Sequence, residues 1–179
     1  PAQIIRMIAA AKIGFFSKRR INESLSIRDR YMGYTSALAE NNIEVNLDYV
    51  CVDLDDKYNM LNETEAARYD SLRAYIAEII GQMRAEGVTC ILCQNDWVAV
   101  ELYSVCEELG ISVPDDMCIM GFDNMDELNN MHGGDKIITV EQDFYEIGVR
   151  AGETILKEIR GEEKGIRDVV PVKLITRDY

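Results

Sequence analysis

Apolar residues along the chain fall into two alternating textures, short continuous runs and longer stretches carrying one apolar stripe. The runs KIGFF (12–16), DYVCVDL (48–54), TCILCQ (89–94), DMCIMGF (116–122), KIITV (136–140) and DVVPVKLITR (168–177) are too short for helices and read as strands. The stretches between them read as helices over 26–42, 63–87, 97–109 and 144–160. In the first, Ile27, Tyr31, Tyr34 and Leu38 recur at helical spacing. In the second, Leu72, Ile76, Ile79, Ile80 and Met83 share a face, and in the third Ala99, Leu102, Cys106 and Leu109 do. In the fourth, Ile147, Ala151, Ile155 and Ile159 are predicted to point inward. Gly87, Gly110 and Gly161 supply stops. Asp96 is expected to cap 97–109, and Asp143 with Glu146 forms a capping box for 144–160. Pro171 marks the last strand as an edge or a bend.

Near-continuous apolar strands alternating with amphipathic helices imply an α/β fold. The form expected is an open, doubly wound, mostly parallel sheet with helices on both faces. In such sheets ligands sit beyond the carboxyl ends of the strands. The residues there are Ser17, Asp53, Asn95 with Asp96, and Asp123 with Asn124. Arg30, inside the following helix, reaches toward the same edge. Asp, Asn and Arg hydrogen-bond hydroxyls in planar, often bidentate geometry. The set suits a sugar or another polyhydroxylated small molecule. Asp96 reads more readily as a helix cap, and Arg30 equally well as a surface ion pair. Asp123 has no closely following helix to cap and is the strongest ligand candidate.

Composition narrows the classes. The chain has 179 residues, enough for one domain with a sizeable core. It starts at Pro1 rather than Met, which reads as a fragment or a processed chain. Its formal net charge is −13, which disfavours direct contact with a phosphate backbone. Cys51, Cys90, Cys93, Cys106 and Cys118 are odd in number and lie in apolar segments, a pattern of reduced thiols in the cytoplasm. The CxxC at Cys90 and Cys93 falls on a strand, where its two thiols face opposite ways and cannot share a metal. DLDDKYNMLNET (53–64) begins like a calcium loop but has Tyr58 and Thr64 where glycine and glutamate belong. No phosphate loop or nucleophile elbow is present, and His132 is the single histidine. Binding without a cofactor, metal or catalytic group is the expectation, and no apolar run reaches the roughly 18 residues of a membrane span.

Three motif-bearing stretches together resemble one family. CILCQNDWVAVELYSVCEELGISVPDDMCIMGFDNM (90–125), ITVEQDFYEIGVRAGETILKEIRG (138–161) and PVKLITRD (171–178) are similar to the effector-binding domain of LacI/GalR bacterial transcriptional regulators. IGFFSK (13–18) with RDRYMGYTSALAENNI (28–43) extends the likeness over nearly the whole chain. The resemblance implies a two-lobed fold of periplasmic-binding-protein type (type I), truncated at its N-terminal lobe. Residues 12–140 and 165–179 would form the C-terminal lobe, and helix 144–160 would cross to the other lobe, leaving an apolar patch exposed without it.

By motif, Arg30 corresponds to the family's effector-contacting arginine, and Asn95 and Asp123 to its hydroxyl-binding amide and carboxylate. Gln142 borders the cleft at the hinge, and Leu54 falls where relatives present a stacking aromatic. The implied partners are a small effector such as a sugar, a second copy through helix 97–109 and loop 127–136, and DNA only through a headpiece outside this chain. The implied role is a cytoplasmic repressor's ligand sensor, not an enzyme. The alternatives are a solute-binding protein of a sugar transport system and a small α/β enzyme such as a sugar isomerase.

Overall fold

A computed structural model describes residues 12–60, 64–162, 164–165 and 167–177. Part of the 53–64 loop, Glu63 at the start of the second expected helix, and Asp178 of the final motif lie outside the described residues.

Four strands, β1 (Lys12–Phe16), β2 (Val50–Cys51), β3 (Val88–Cys93) and β4 (Cys118–Met120), pair in parallel in the order β2-β1-β3-β4. A fifth strand, β5 (Thr139–Glu141), continues this sheet beyond β4. The Gly121 N–H donates to the Ile138 carbonyl (2.7 Å), and the Asp123 N–H donates to that of Val140 (2.9 Å). On its other side β5 pairs antiparallel with β6 (Lys173–Ile175). The sheet is therefore mostly parallel, as expected, and ends in one antiparallel pair that the sequence did not show.

Helices cover both faces. On one face α1 (Leu25–Glu40) packs Tyr34 and Leu38 on Phe15. The Phe15 and Tyr34 rings lie 5.5 Å apart, and the Tyr34 hydroxyl donates to the Ile13 carbonyl (2.7 Å), so this helix is both stacked and pinned on β1. On the other face α2 (Leu54–Met60), α3 (Glu65–Ala85) and α4 (Asp96–Glu108) bury Leu54, Leu72, Ile76, Ile80, Ala99 and Leu102 against Phe16, Ile91 and Ile119. The cysteines divide as a strand requires. Cys90 and Cys118 stand in register on one face, and Cys93 and Cys106 are buried on the other. Burial pushes the Cys51 and Cys106 thiols up to about 12, which keeps both protonated and unreactive.

Sequence expectations change at several points, and the strand expected over 168–177 spans only Lys173–Ile175. The strand expected over 48–54 shrinks to Val50–Cys51. Asn46 accepts from the Asp48 N–H (2.9 Å) to set a 3-10 turn before it. Asp53, at φ 65, turns the chain out of the sheet and into α2, a helix the apolar pattern did not show. The cap of α4 is Asn95, whose side chain accepts from the Val98 N–H (3.2 Å), and Asp96 is the first helical residue. The helix at 144–160, α5 (Phe144–Arg160), forms where expected with Asp143 accepting from the Glu146 N–H (2.8 Å). Its apolar face is not turned inward: no residue of α5 is buried, and Ile155 and Ile159 are 58% and 76% exposed.

Ile91 lies fully buried on the central strand, so Ile91→Ala is expected to cost on the order of 2–5 kcal/mol in urea unfolding. Leu47→Ala, on the exposed 3-10 turn, is expected to change stability by less than about 0.5 kcal/mol.

Candidate functional site

The sheet order reverses between β1 and β3, where α1 and α4 leave on opposite faces, the place at which open α/β sheets form a ligand crevice. Parallel strands buried on both faces can present polar groups only past their ends, and these ends converge there. Ser17, after β1, is fully buried; its hydroxyl oxygen lies 2.6 Å from Gln94 Oε1 and 2.7 Å from the Arg19 carbonyl, and its single proton is donated to one of the two at a time. Gln94 in turn accepts the Lys18 N–H (2.9 Å). Ser17 and Gln94 thus fix the floor of the crevice rather than face a ligand.

Above that floor stands a charged cluster. Arg30 extends from α1 across the strand ends, with one guanidinium nitrogen on the Gln94 carbonyl and the other, Nη2, 2.9 Å from Asp123 Oδ1. The guanidinium also lies 4.0 Å from the centroid of the Phe122 ring, a cation–π contact. Gln142 Nε2 donates to the same Asp123 oxygen (2.6 Å). Arg30, Asp123 and Gln142 are therefore brought together as one hydrogen-bonded group. The Arg30 and Asp123 side chains retain 17% and 21% exposure, so the pair is shielded yet reachable. Asp123 takes both donors, Arg30 and Gln142, on Oδ1, and Asn95 uses its side-chain oxygen for the Val98 N–H. A cleft of about 430 Å³ opens beside the cluster, lined by Asn124, Glu141, Gln142, Asp143, Phe144 and Lys173.

The remaining candidates fall elsewhere. Leu54 is 1% exposed and packs in the main core, so it offers no surface to the crevice; starting α2 rather than ending a strand turns its side chain inward. Asp53 occupies the left-handed turn before it. Asn124 donates from its side chain to Glu141 Oε1 (3.2 Å) and serves the loop. Asp96 is buried: its carboxylate accepts from the Thr139 hydroxyl (2.6 Å) and the Met125 N–H (3.0 Å). Sequence reasoning missed Phe122, Gln94 and Thr139. Phe122 lay within a quoted motif and was readable as a platform, whereas the other two act through contacts that no local pattern signals.

With this geometry in place, the comparisons with known proteins decide the family. The profile of the periplasmic binding protein-like domain matches residues 10–178. The chain belongs to that family. The likeness to LacI/GalR effector-binding domains holds in both further comparisons. The HTH-type transcriptional repressor PurR of Photobacterium profundum is 28% identical over 168 residues, covering 93% of this chain and 45% of that protein. The arabinose metabolism transcriptional repressor of Geobacillus stearothermophilus is 27% identical over 156 residues, covering 87% of this chain and 38% of that protein. Among solved structures, the CelR–cellobiose complex matches with a TM-score of 0.74 at 20% identity, covering 96% of this chain and 48% of that one. A LacI-family regulatory protein from Chloroflexus aggregans matches at 0.75 and 19%, covering 98% and 57%. The chain spans about half the length of the relatives it matches.

Burial raises Asp96 above the ordinary carboxylate range, and the nearby Asp123 charge adds to the shift; bonds from Thr139 and the Met125 N–H oppose it. A raised acid binds its proton more tightly in the folded chain, so its contribution to stability falls as pH rises from the unfolded-state value through the folded one. Asp96→Asn removes that dependence. Urea unfolding from pH 3 upward is expected to show the variant gaining on the wild type as pH climbs, with the difference levelling once Asp96 is ionised in both states.

Proposed function

We propose that the chain is the ligand-sensing part of a bacterial transcriptional repressor that binds a small hydroxyl-rich effector, a sugar, at the Arg30–Asp123–Gln142 cluster. The observation that carries this reading is the division of labour on Asp123. Oδ1 takes both internal donors, which leaves Oδ2 as the oxygen to accept from a hydroxyl. Arg30 supplies fixed charge and Asn95 an amide donor. The names of the relatives support repression, and solved neighbours with cellobiose, sucrose and glucose support a sugar. Relatives named as repressors rather than enzymes support a non-catalytic regulator, and a cytoplasmic location follows from that role. Among the described residues no helix is long and apolar enough to cross a membrane, and no group of three or more His, Cys, Asp or Glu could hold a metal ion.

The site is half of a cleft in this reading. Residues 12–140 and 165–179 form a C-terminal lobe, and α5 crosses to an N-terminal lobe. The support is the exposed face of α5 together with coverage of about half of each relative. Ligand binding between the lobes then shifts a dimer's presentation of DNA-binding headpieces carried outside this chain. A solute-binding protein of a sugar transport system is the alternative, and the repressor names of the relatives favour the first reading.

Titration calorimetry on the full-length protein with glucose, sucrose, cellobiose and arabinose tests the site. Asp123→Ala and Arg30→Ala are each expected to weaken binding roughly a hundredfold, about 3 kcal/mol. Unchanged affinity in both variants would remove the site assignment. Ile155→Asp tests the lobe arrangement: it is expected to lower the stability of the full-length protein by more than about 2 kcal/mol and to leave the isolated 179-residue chain within about 0.5 kcal/mol.

A further inference from the structure

We infer that Asp96 is a positioning residue for the binding site, holding Asp123 in its ligand-facing geometry from beneath without touching the ligand. The inference rests on the reading that Asp123 contacts the effector. Asp96 makes three contacts with the two segments that flank it. Its own N–H donates to the Phe122 carbonyl (3.0 Å). One carboxylate oxygen accepts from the Met125 N–H (3.0 Å), and the other accepts from the Thr139 hydroxyl (2.6 Å). The first two contacts bracket Asp123 and Asn124 on either side. The third ties that bracket to the start of β5, and Thr139 Oγ1 also accepts from the Asn124 N–H (3.3 Å).

What the bracket holds is a backbone that does not hold itself. Asp123 has φ 107 and Asn124 φ 48. Non-glycine residues reach that region at a cost and stay there only when the surroundings over-determine them. Both residues sit in the one turn that carries the ligand-facing carboxylate. Gly121 shows how closely the clamp is fitted: a Cβ there would lie 2.2 Å from Asp96 Oδ1. Glycine at 121 is thus required by the approach of the carboxylate, not by its own φ.

A bland role for Asp96 does not account for these contacts. A first-turn acid serving the helix dipole needs only to be near the N-terminus and is satisfied while exposed. The cap of α4 is already supplied by Asn95. Asp96 is instead fully buried, where a carboxylate is costly unless its hydrogen bonds are complete. Both of its oxygens are used, and both partners belong to segments adjoining Asp123.

The test compares Asp96→Ala, Asp96→Asn and Thr139→Val in the full-length protein, at a temperature where each is folded. Calorimetry uses whichever of glucose, sucrose, cellobiose or arabinose binds the wild type, and amide exchange is read at Asp123. Asn at 96 keeps an oxygen for the Met125 N–H and can donate to a Thr139 hydroxyl turned to accept, so binding is expected within roughly threefold of the wild type. Asp96→Ala is expected to lose roughly thirtyfold or more, and Thr139→Val roughly fivefold, with faster exchange of the Asp123 N–H in both. A purely structural role would lower the melting midpoint and leave affinity and local exchange untouched in the folded variants; that result overturns the inference. If Asp96→Ala does not fold, Thr139→Val decides, and wild-type affinity in it overturns the inference. If no sugar binds the wild type, the proposed effector class falls, and the Asp123 exchange rate in Thr139→Val still decides whether the clamp positions that turn.

Discussion

A parallel strand covered on both faces has no place along its length for a polar side chain, and the architecture follows from that restriction. α1 seals one face of the sheet and α2, α3 and α4 the other, so β1, β3 and β4 carry almost nothing but apolar residues and thiols. Polar chemistry is displaced to the carboxyl ends, where Ser17, Gln94, Asn95 and Asp123 gather at one rim. The same restriction makes the rim ordered. Strand-end carbonyls at the edge of a dry core need donors, and Arg30 meets one of them at Gln94 while pairing with Asp123.

Much of this was legible in the sequence because it depends on local periodicity. The runs at 12–16 and 89–94 became strands nearly as read, and the stripe of Leu72, Ile76 and Ile80 became a buried helix face. Arg30 and Asp123 were legible from their place beyond the strand ends, and Gln142 only through motif likeness, since residues so far apart in the chain carry no mutual spacing signal. What failed was decided by single residues or by tertiary contacts. Asn95 and Asp96 are both competent caps; the contacts to Thr139 and Met125, distant in sequence, take Asp96 inward and leave the cap to Asn95. One left-handed residue, Asp53, converts the end of an expected strand into the start of a helix and moves Leu54 from the rim to the core.

α5 shows a pattern that is correct locally and unfulfilled globally. Its cap, length and amphipathic stripe are those the sequence specifies, yet Tyr145, Ile155 and Ile159 all face outward. Helices in water owe most of their stability to the burial of such a stripe. α5 begins two residues after Gln142, and its first residue, Phe144, lines the same cleft as Gln142.

The double use of Asp123 Oδ1 has an energetic corollary. Because Arg30 and Gln142 already satisfy that oxygen, most of the dehydration of this carboxylate occurs when the chain folds rather than when a guest arrives. In the proposed binding mode a neutral hydroxyl meets Oδ2 and neither creates nor cancels a charge at the rim. Recognition of this kind responds weakly to ionic strength, because mobile ions screen exposed charges far more than shielded pairs.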